Sequence, residues 1–194
     1  MSAVSTVEAI LEGAARALGH RGVQKLSMSD ICDEAGVSRG TLYRYFKSKD
    51  DVLEALSQHV LESMAVIIQE AVDERPALED RLRVVLTAMM SFTDRLPYTM
   101  ALVQTEPAFS LAFFRRSMAS YRVILERFLS PVLADSAPVR SGVVTIGDLC
   151  ELFERVVLSA YVIRDGDAGS VPDLLADMWG ALVAHGPPQA TATA

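Results

Sequence analysis

The chain is short of cysteine and histidine, of long apolar runs and of strand-like alternation, and each shortage removes a class of protein. Its two cysteines, Cys32 and Cys150, stand far apart in a sequence of 194 residues. That is too sparse for a disulfide framework or a cysteine-based metal site. His20, His59 and His185 are equally dispersed, and there is no phosphate-cradling glycine loop and no Gly-x-Ser-x-Gly elbow. Catalysis, a metal and a cofactor are therefore not expected. No apolar run approaches the roughly 18–20 residues that a membrane-spanning helix needs. One of the longest, from Val156 to Ile163, is closed off by Arg155 and Arg164. Glu8 and Glu12 precede the first cation, Arg16, so no secretory signal is expected and the cytoplasm is the expected location.

What is present is apolar content and helical period. Apolar residues make up 51% of the chain, which argues against disorder. Val7, Ile10, Leu11, Ala14 and Leu18 keep the spacing of one helix face, ended by Gly19 and Gly22. Two-residue alternation between hairpin turns is missing. The pattern predicts an all-α protein: a three-helix helix-turn-helix domain over 1–47, a helical bundle over 48–186, and a loose tail over 187–194. In the bundle, helices are predicted from Ser48 to about Glu74, from about Ala77 to Leu96, from Pro97 to about Gln104 and from Pro107 to about Leu133. After a loop marked by Pro138 and Gly142, two more are predicted, Thr145 to Ile163 and Pro172 to His185, with a turn over 165–170 between them.

Net charge is −7, which at first sight argues against nucleic acid, but its distribution matters more than its sum. Residues 1–50 carry seven Lys/Arg against six Asp/Glu, and the remainder carries eleven against nineteen. From Arg39 to Lys49 there are four cations and no acid. A short basic surface at one end of an acidic protein is compatible with DNA binding confined to that end.

That end holds the informative stretch, residues 26–49. Ser27 with Asp30, and Ser48 with Asp51, have the spacing of capping boxes, and Ser38 is placed to cap a helix between them. Gly36 suits a left-handed turn, and Ala35 lets two helices approach. Leu42 and Phe46, within about 40° on a helical wheel, belong with Ile31 and Val37 in a small core against Leu11, Ala14 and Leu18. Gly40, Thr41, Tyr43 and Arg44 point elsewhere, with the narrow hydrogen-bonding tip that a major groove admits. Arg39 or Arg44 suits guanine O6/N7 and the Thr41 methyl suits a thymine methyl, while Gly40 permits close approach. Tyr45, Lys47 and Lys49 are placed for phosphates. Ser38 and Ser48 are caps before they are DNA ligands.

The run Ala35-Gly36-Val37-Ser38-x-Gly40-Thr41-Leu42-Tyr43-x-Tyr45-Phe46-x-Ser48-Lys49-x-x-x-Leu53 resembles the signature of TetR-family (TetR/AcrR-like) transcriptional regulators, and the resemblance covers roughly residues 5–55. It implies that Arg39, Gly40, Thr41, Tyr43 and Arg44 face bases and nearby backbone. By the same resemblance Ser27, Met28 (through its backbone), Tyr45 and Lys49 grip phosphates, and Ser29 falls where some members reach a base. Leu26 and Cys32 depart from the usual residues as packing changes. The implied protein is a ligand-responsive regulator, expected to act as a repressor. It would bind a palindromic double-stranded DNA operator as a homodimer and be released by a small, apolar effector, with no membrane partner.

For the dimer, Leu149, Leu152, Phe153, Val156, Val157, Leu174, Leu175, Met178 and Leu182 supply apolar stripes on the last two long helices. For the effector pocket, Met64, Met89, Met90, Phe92, Met100, Phe109, Phe113, Phe114, Met118 and Tyr121 form a Met- and aromatic-rich set. Taken singly, each residue of this second set reads more simply as plain core. The rival to a DNA-binding regulator is a helical interaction module whose head no longer reads DNA. The operator sequence, the effector, the target genes and the sign of regulation are not legible in the chain.

Overall fold

In the computed structural model, which describes residues 3–163 and 170–185, every regular element is a helix. They are α1 (Ala3–Arg21), α2 (Met28–Ala35), α3 (Arg39–Tyr45), α4 (Lys49–Glu74), α5 (Arg81–Met90), α6 (Phe92–Arg95), α7 (Pro97–Thr105), α8 (Pro107–Leu133), α9 (Ala137–Arg140), α10 (Ile146–Val162) and α11 (Val171–His185). The expected turn over 165–169 and the expected tail over 187–194 lie outside the described residues.

The start signals read from the sequence act as caps. Ser27 Oγ accepts from the Asp30 N–H at 3.2 Å while an Asp30 carboxylate oxygen accepts from the Ser27 N–H at 3.0 Å. The same reciprocal pair joins Ser48 and Asp51, and Ser38 Oγ accepts from the Thr41 N–H. Each satisfies backbone donors that a helix leaves open at its first turn. Gly22, not Gly19, ends α1, with φ of 75°. Only a residue without Cβ adopts that region at little cost.

Between Pro76 and Pro97 the structure departs from the single helix expected over Ala77–Leu96. The helix begins only at Arg81 and stops at Ser91, after which α6 starts. Ser91 Oγ donates to the Ala88 carbonyl at 3.2 Å. A side chain competing for a carbonyl of the last turn weakens helix continuation. The loop expected around Pro138 and Gly142 contains the short α9, with Gly142 at φ of 73° just beyond it.

The described residues form two compact units, one drawn from 1–63 with 93–117 and the other from 64–92 with 118–194. Apolar side chains of α7 and α8 join the core of the first unit. That core contains Ile10, Leu11, Ala14, Leu18, Ile31, Leu42, Phe46, Val52, Leu56 and also Leu102, with Tyr98 and Phe109 packed against it. Within it α1 and α2 cross very closely. A Cβ placed on Gly13 would come to 2.6 Å from backbone and Cβ atoms of Ala35. In the second unit Leu86, Leu125, Leu129, Leu133 and Cys150 are fully buried. There Arg83 of α5 holds α11 with a fork to Asp173 and to Asp177, the latter at 2.7 Å.

The crossing gives a test. Gly13→Ala places a methyl where backbone stands, and overpacking of this kind costs about 1–3 kcal/mol. Urea denaturation of the full chain is expected to show a loss of that order. Gly19→Ala, whose Cβ would meet nothing within 4 Å, is expected to be neutral or stabilising in the same assay.

Candidate nucleic-acid interface

The head presents α3 by burying one side of it. Leu42 is fully buried and Phe46 is 9% exposed, whereas Arg39, Gly40, Tyr43 and Arg44 are exposed and Thr41 is half-buried. Gly36, with φ of 64° and ψ of 31°, turns the chain between α2 and α3, and its N–H is directed to the Asp33 and Cys32 carbonyls. The turn is short and its conformation left-handed, so the direction of α3 follows from that of α2. Arg16 fixes α2 to α1 in turn, donating to the Glu34 carbonyl at 2.8 Å.

The side chains named from the sequence fall into three groups. Arg39, Gly40, Thr41, Tyr43 and Arg44 lie on the outer side or at the start of α3. The Arg39 guanidinium donates to Ser29 Oγ of α2, so two of the residues assigned to base contact are already joined. Arg44 stacks its guanidinium 4.9 Å from the Tyr45 ring centroid and donates to the Tyr45 hydroxyl at 3.3 Å. Ser38 Oγ lies 2.9 Å from Thr41 Oγ1.

The second group surrounds helix starts. Ser27 donates its hydroxyl to Asp30 at 2.6 Å and is thereby occupied as a cap. Hydrogen bonds from Ser27, aided by Arg21, hold the Asp30 carboxyl below its ordinary range. Met28 is half-buried against the core of the head, which leaves its backbone N–H, in the first turn of α2, as its polar contribution. At the start of α4 the Asp51 carboxylate accepts from the N–H groups of Lys47 and Ser48 at 3.1 Å and 3.0 Å. The next first-turn donors there are the N–H groups of Lys49 and Asp50.

The third group is Lys47 and Lys49. Lys47 is exposed. Lys49, by contrast, is half-buried and donates from Nζ to the Val23 carbonyl at 3.1 Å. The ammonium therefore ties α4 to the turn between α1 and α2. No sequence pattern pointed to this tie, because it joins residues far apart in the chain.

The residues assigned to an effector pocket divide between the two units. Met100, Phe109, Phe113 and Phe114 belong to the first, and Met64, Met89, Met90, Phe92, Met118 and Tyr121 to the second. Within the first, Phe113 and Phe114 pack with ring centroids 5.7 Å apart. Within the second, Met64, Met89, Phe92 and Tyr121 are buried, and Met90 and Met118 are half-buried. The stripe assigned to dimerisation also splits. Leu149, Phe153 and Val157 are buried within the chain, while Leu152, Leu174, Met178 and Leu182 stand 54% to 58% exposed. Val156 and Leu175 are half-buried.

One residue of the second unit was missed by sequence reasoning. Glu154 is 4% exposed, and both of its carboxylate oxygens are buried without a hydrogen-bond partner. The signal was there: Glu154 falls among Cys150, Phe153 and Val157 on the buried face of α10. Burial pushes its pKa up to about 7, Glu151 adds to the rise, and Arg155 and Arg122 oppose it.

The arrangement defines a class: an all-helical protein with a helix-turn-helix head that exposes a basic, hydrogen-bonding recognition helix. Residues 10–56 match the family described as bacterial regulatory proteins, tetR family. Over that segment the chain is similar to members of this family. It is similar to the nucleoid occlusion factor SlmA of Photobacterium profundum, 32% identical over 91 residues, which are 46% of each protein. It is also similar to the fatty acid metabolism regulator protein of Bacillus subtilis, 28% identical over 82 residues, 42% of each. The chain thus spans about half the length of the curated relatives it matches. Among solved structures, the transcriptional regulator FadR from Bacillus subtilis in complex with stearoyl-CoA superposes with a TM-score of 0.67 at 17% identity. That match covers 89% of this chain and 96% of the other, and it establishes a common fold.

The buried carboxyl sets a pH dependence. The folded pKa of Glu154 lies above the ordinary glutamate value of 4.5, so between about 4.5 and 7 the unfolded chain has lost a proton that the folded chain keeps. Stability therefore falls as pH rises through that window and levels off above it, by a total on the order of 3 kcal/mol from this group. Urea midpoints measured from pH 5 to pH 8 are expected to decline in the wild type and to flatten in Glu154→Gln.

Proposed function

We propose that the chain is a transcriptional regulator that binds a palindromic duplex DNA operator as a homodimer, and that a small effector with an apolar body releases it. The observation that carries the reading is the outer side of α3. Arg39, Gly40, Tyr43 and Arg44 are exposed opposite the buried Leu42 and Phe46, on a helix whose start and direction are set by Ser38 and Gly36. A groove-reading helix needs donors on a rigid, narrow face. Arg39 suits a guanine edge, with Ser29 orienting it from α2. The Arg44–Tyr45 pair and Lys47 suit flanking phosphates, as do the first-turn N–H groups of α2 and α4. Lys49 contributes charge beside its structural tie to Val23.

Support for the dimer comes from Leu152, Leu174, Met178 and Leu182, large apolar side chains left exposed on α10 and α11. Two-fold pairing through these helices would offer two recognition helices to major grooves about 34–36 Å apart. An effector is supported by the Met- and aromatic-rich interior and by the fold shared with a protein solved with stearoyl-CoA. Release follows as a population shift, in which a bound effector favours a conformation whose heads do not dock together. The single 26-residue helix α4, which contributes residues to both units, is the element whose movement would carry it.

The reading is tested by gel shift on the promoter region of the protein's own gene across a salt series. Sequence-specific binding with a steep salt slope supports it, and weak, sequence-indifferent binding overturns it in favour of an interaction module. Lys49→Ala is expected to weaken binding evenly across sequences and to lower the salt slope by about one unit. Losing the Val23 contact, it is also expected to unfold at slightly lower temperature. Met178→Asp combined with Leu182→Asp is expected to yield a monomer by sedimentation and to lose palindrome binding. A dimer that persists in this double variant places the interface elsewhere.

A further inference from the structure

Glu154 is the one acid among the buried polar residues of the described chain, the others being Thr6, Ser110, Ser117 and Ser136. A carboxyl group withdrawn from water without a donor is costly in either protonation state. Ionised, it offers two acceptor oxygens; protonated, it still has more acceptor than donor capacity. An apolar residue of similar size would pack there at no such cost, so a buried carboxyl without a partner calls for an explanation. Around it stand groups from α8 and from its own helix. Tyr121 is buried and feels the Glu154 charge, as does Cys150. Glu151, Arg155 and Arg122 act on it electrostatically. Both arginines are engaged with another acid: Arg155 donates to Glu151 at 2.6 Å and Arg122 to Glu151 at 3.4 Å. The cations nearest to hand are thus committed to Glu151, and Glu154 is left to an outside donor.

We propose that Glu154 is the polar anchor of the effector site, and that the effector presents an amine, amidine or guanidinium group to it on an otherwise apolar body. The inference rests on the regulator reading and names the ligand class for it. The buried charge selects the polar end: a cation restores the lost solvation by a charge-assisted hydrogen bond, whereas an anionic end is repelled. The apolar neighbours Phe153 and Val157 on α10 select the body. Reaching Glu154 requires α10 to part from its packing, so binding favours an opened body over the closed one, which is the differential affinity that a release mechanism needs.

Trp179 is the only tryptophan of the chain, and its ring meets Phe153 edge-on at 6.2 Å. It reports on the residue adjacent to Glu154. The protein is titrated at pH 8 with decylammonium, decanoate and methyl decanoate, each below its micelle concentration. Tryptophan emission and calorimetry are read for the wild type and for Glu154→Gln. Decylammonium is expected to bind the wild type at least about ten-fold more tightly than either other probe, and the preference is expected to vanish in Glu154→Gln. Equal or tighter binding of decanoate overturns the proposal, as does a preference for methyl decanoate, which would make Glu154 a donor. A decylammonium preference that survives in Glu154→Gln, or no binding of any probe, overturns it too. Gel shifts on the same preparations separate the two ideas. Specific DNA binding without a decylammonium preference ends the anchor and leaves the regulator standing, whereas absent DNA binding ends the regulator reading itself.

Discussion

The close crossing of α1 and α2, where Gly13 leaves no room for a Cβ beside Ala35, is the constraint on which the head depends. It sets how near α2 lies to α1. Arg16 and His20, reaching Glu34, fix its end. The left-handed turn at Gly36 then converts the position of α2 into the direction of α3. Every exposed side chain of the recognition helix inherits its place from that chain of short-range restraints. Most of the energy is apolar burial of Leu42, Ile31 and Leu18, but burial is non-directional and alone would not aim a helix.

Charge in the head is arranged by pairing rather than by excess. Acids near the helix starts are absorbed as caps, as Asp30 and Asp51 show. Arg39 and Arg44 are held by a hydroxyl and by an aromatic ring with its hydroxyl, neither of which cancels their charge. An acidic protein can therefore carry a basic recognition surface, because screening limits what the remaining acids contribute beyond roughly 8–10 Å.

The second unit contains the opposite situation, a charge-bearing group without its partner. The fork from Arg83 to Asp173 and Asp177 is satisfied and exposed, so it fastens α11 without much tension. Glu154 is buried and unsatisfied, so the folded body carries a cost that protonation or a donor relieves. A body under that cost is easier to shift between conformations than one whose interior is uniformly apolar.

The amino-acid sequence by itself determined the all-helical class, the three caps, the glycine turn and the split of α3 into a core side and an outer side. These are local: each depends on residues within one or two turns of helix, so spacing reveals them. Tertiary structure decided what joins residues far apart in the chain. It tied Lys49 to Val23, braced Arg39 with Ser29 and drew α7 into the core of the head. It turned Leu149, Phe153 and Val157 of the apolar stripe on α10 inward, and buried Glu154 without a donor. Charge and hydrophobicity are legible from letters, but the partner of a side chain is a property of the packed chain.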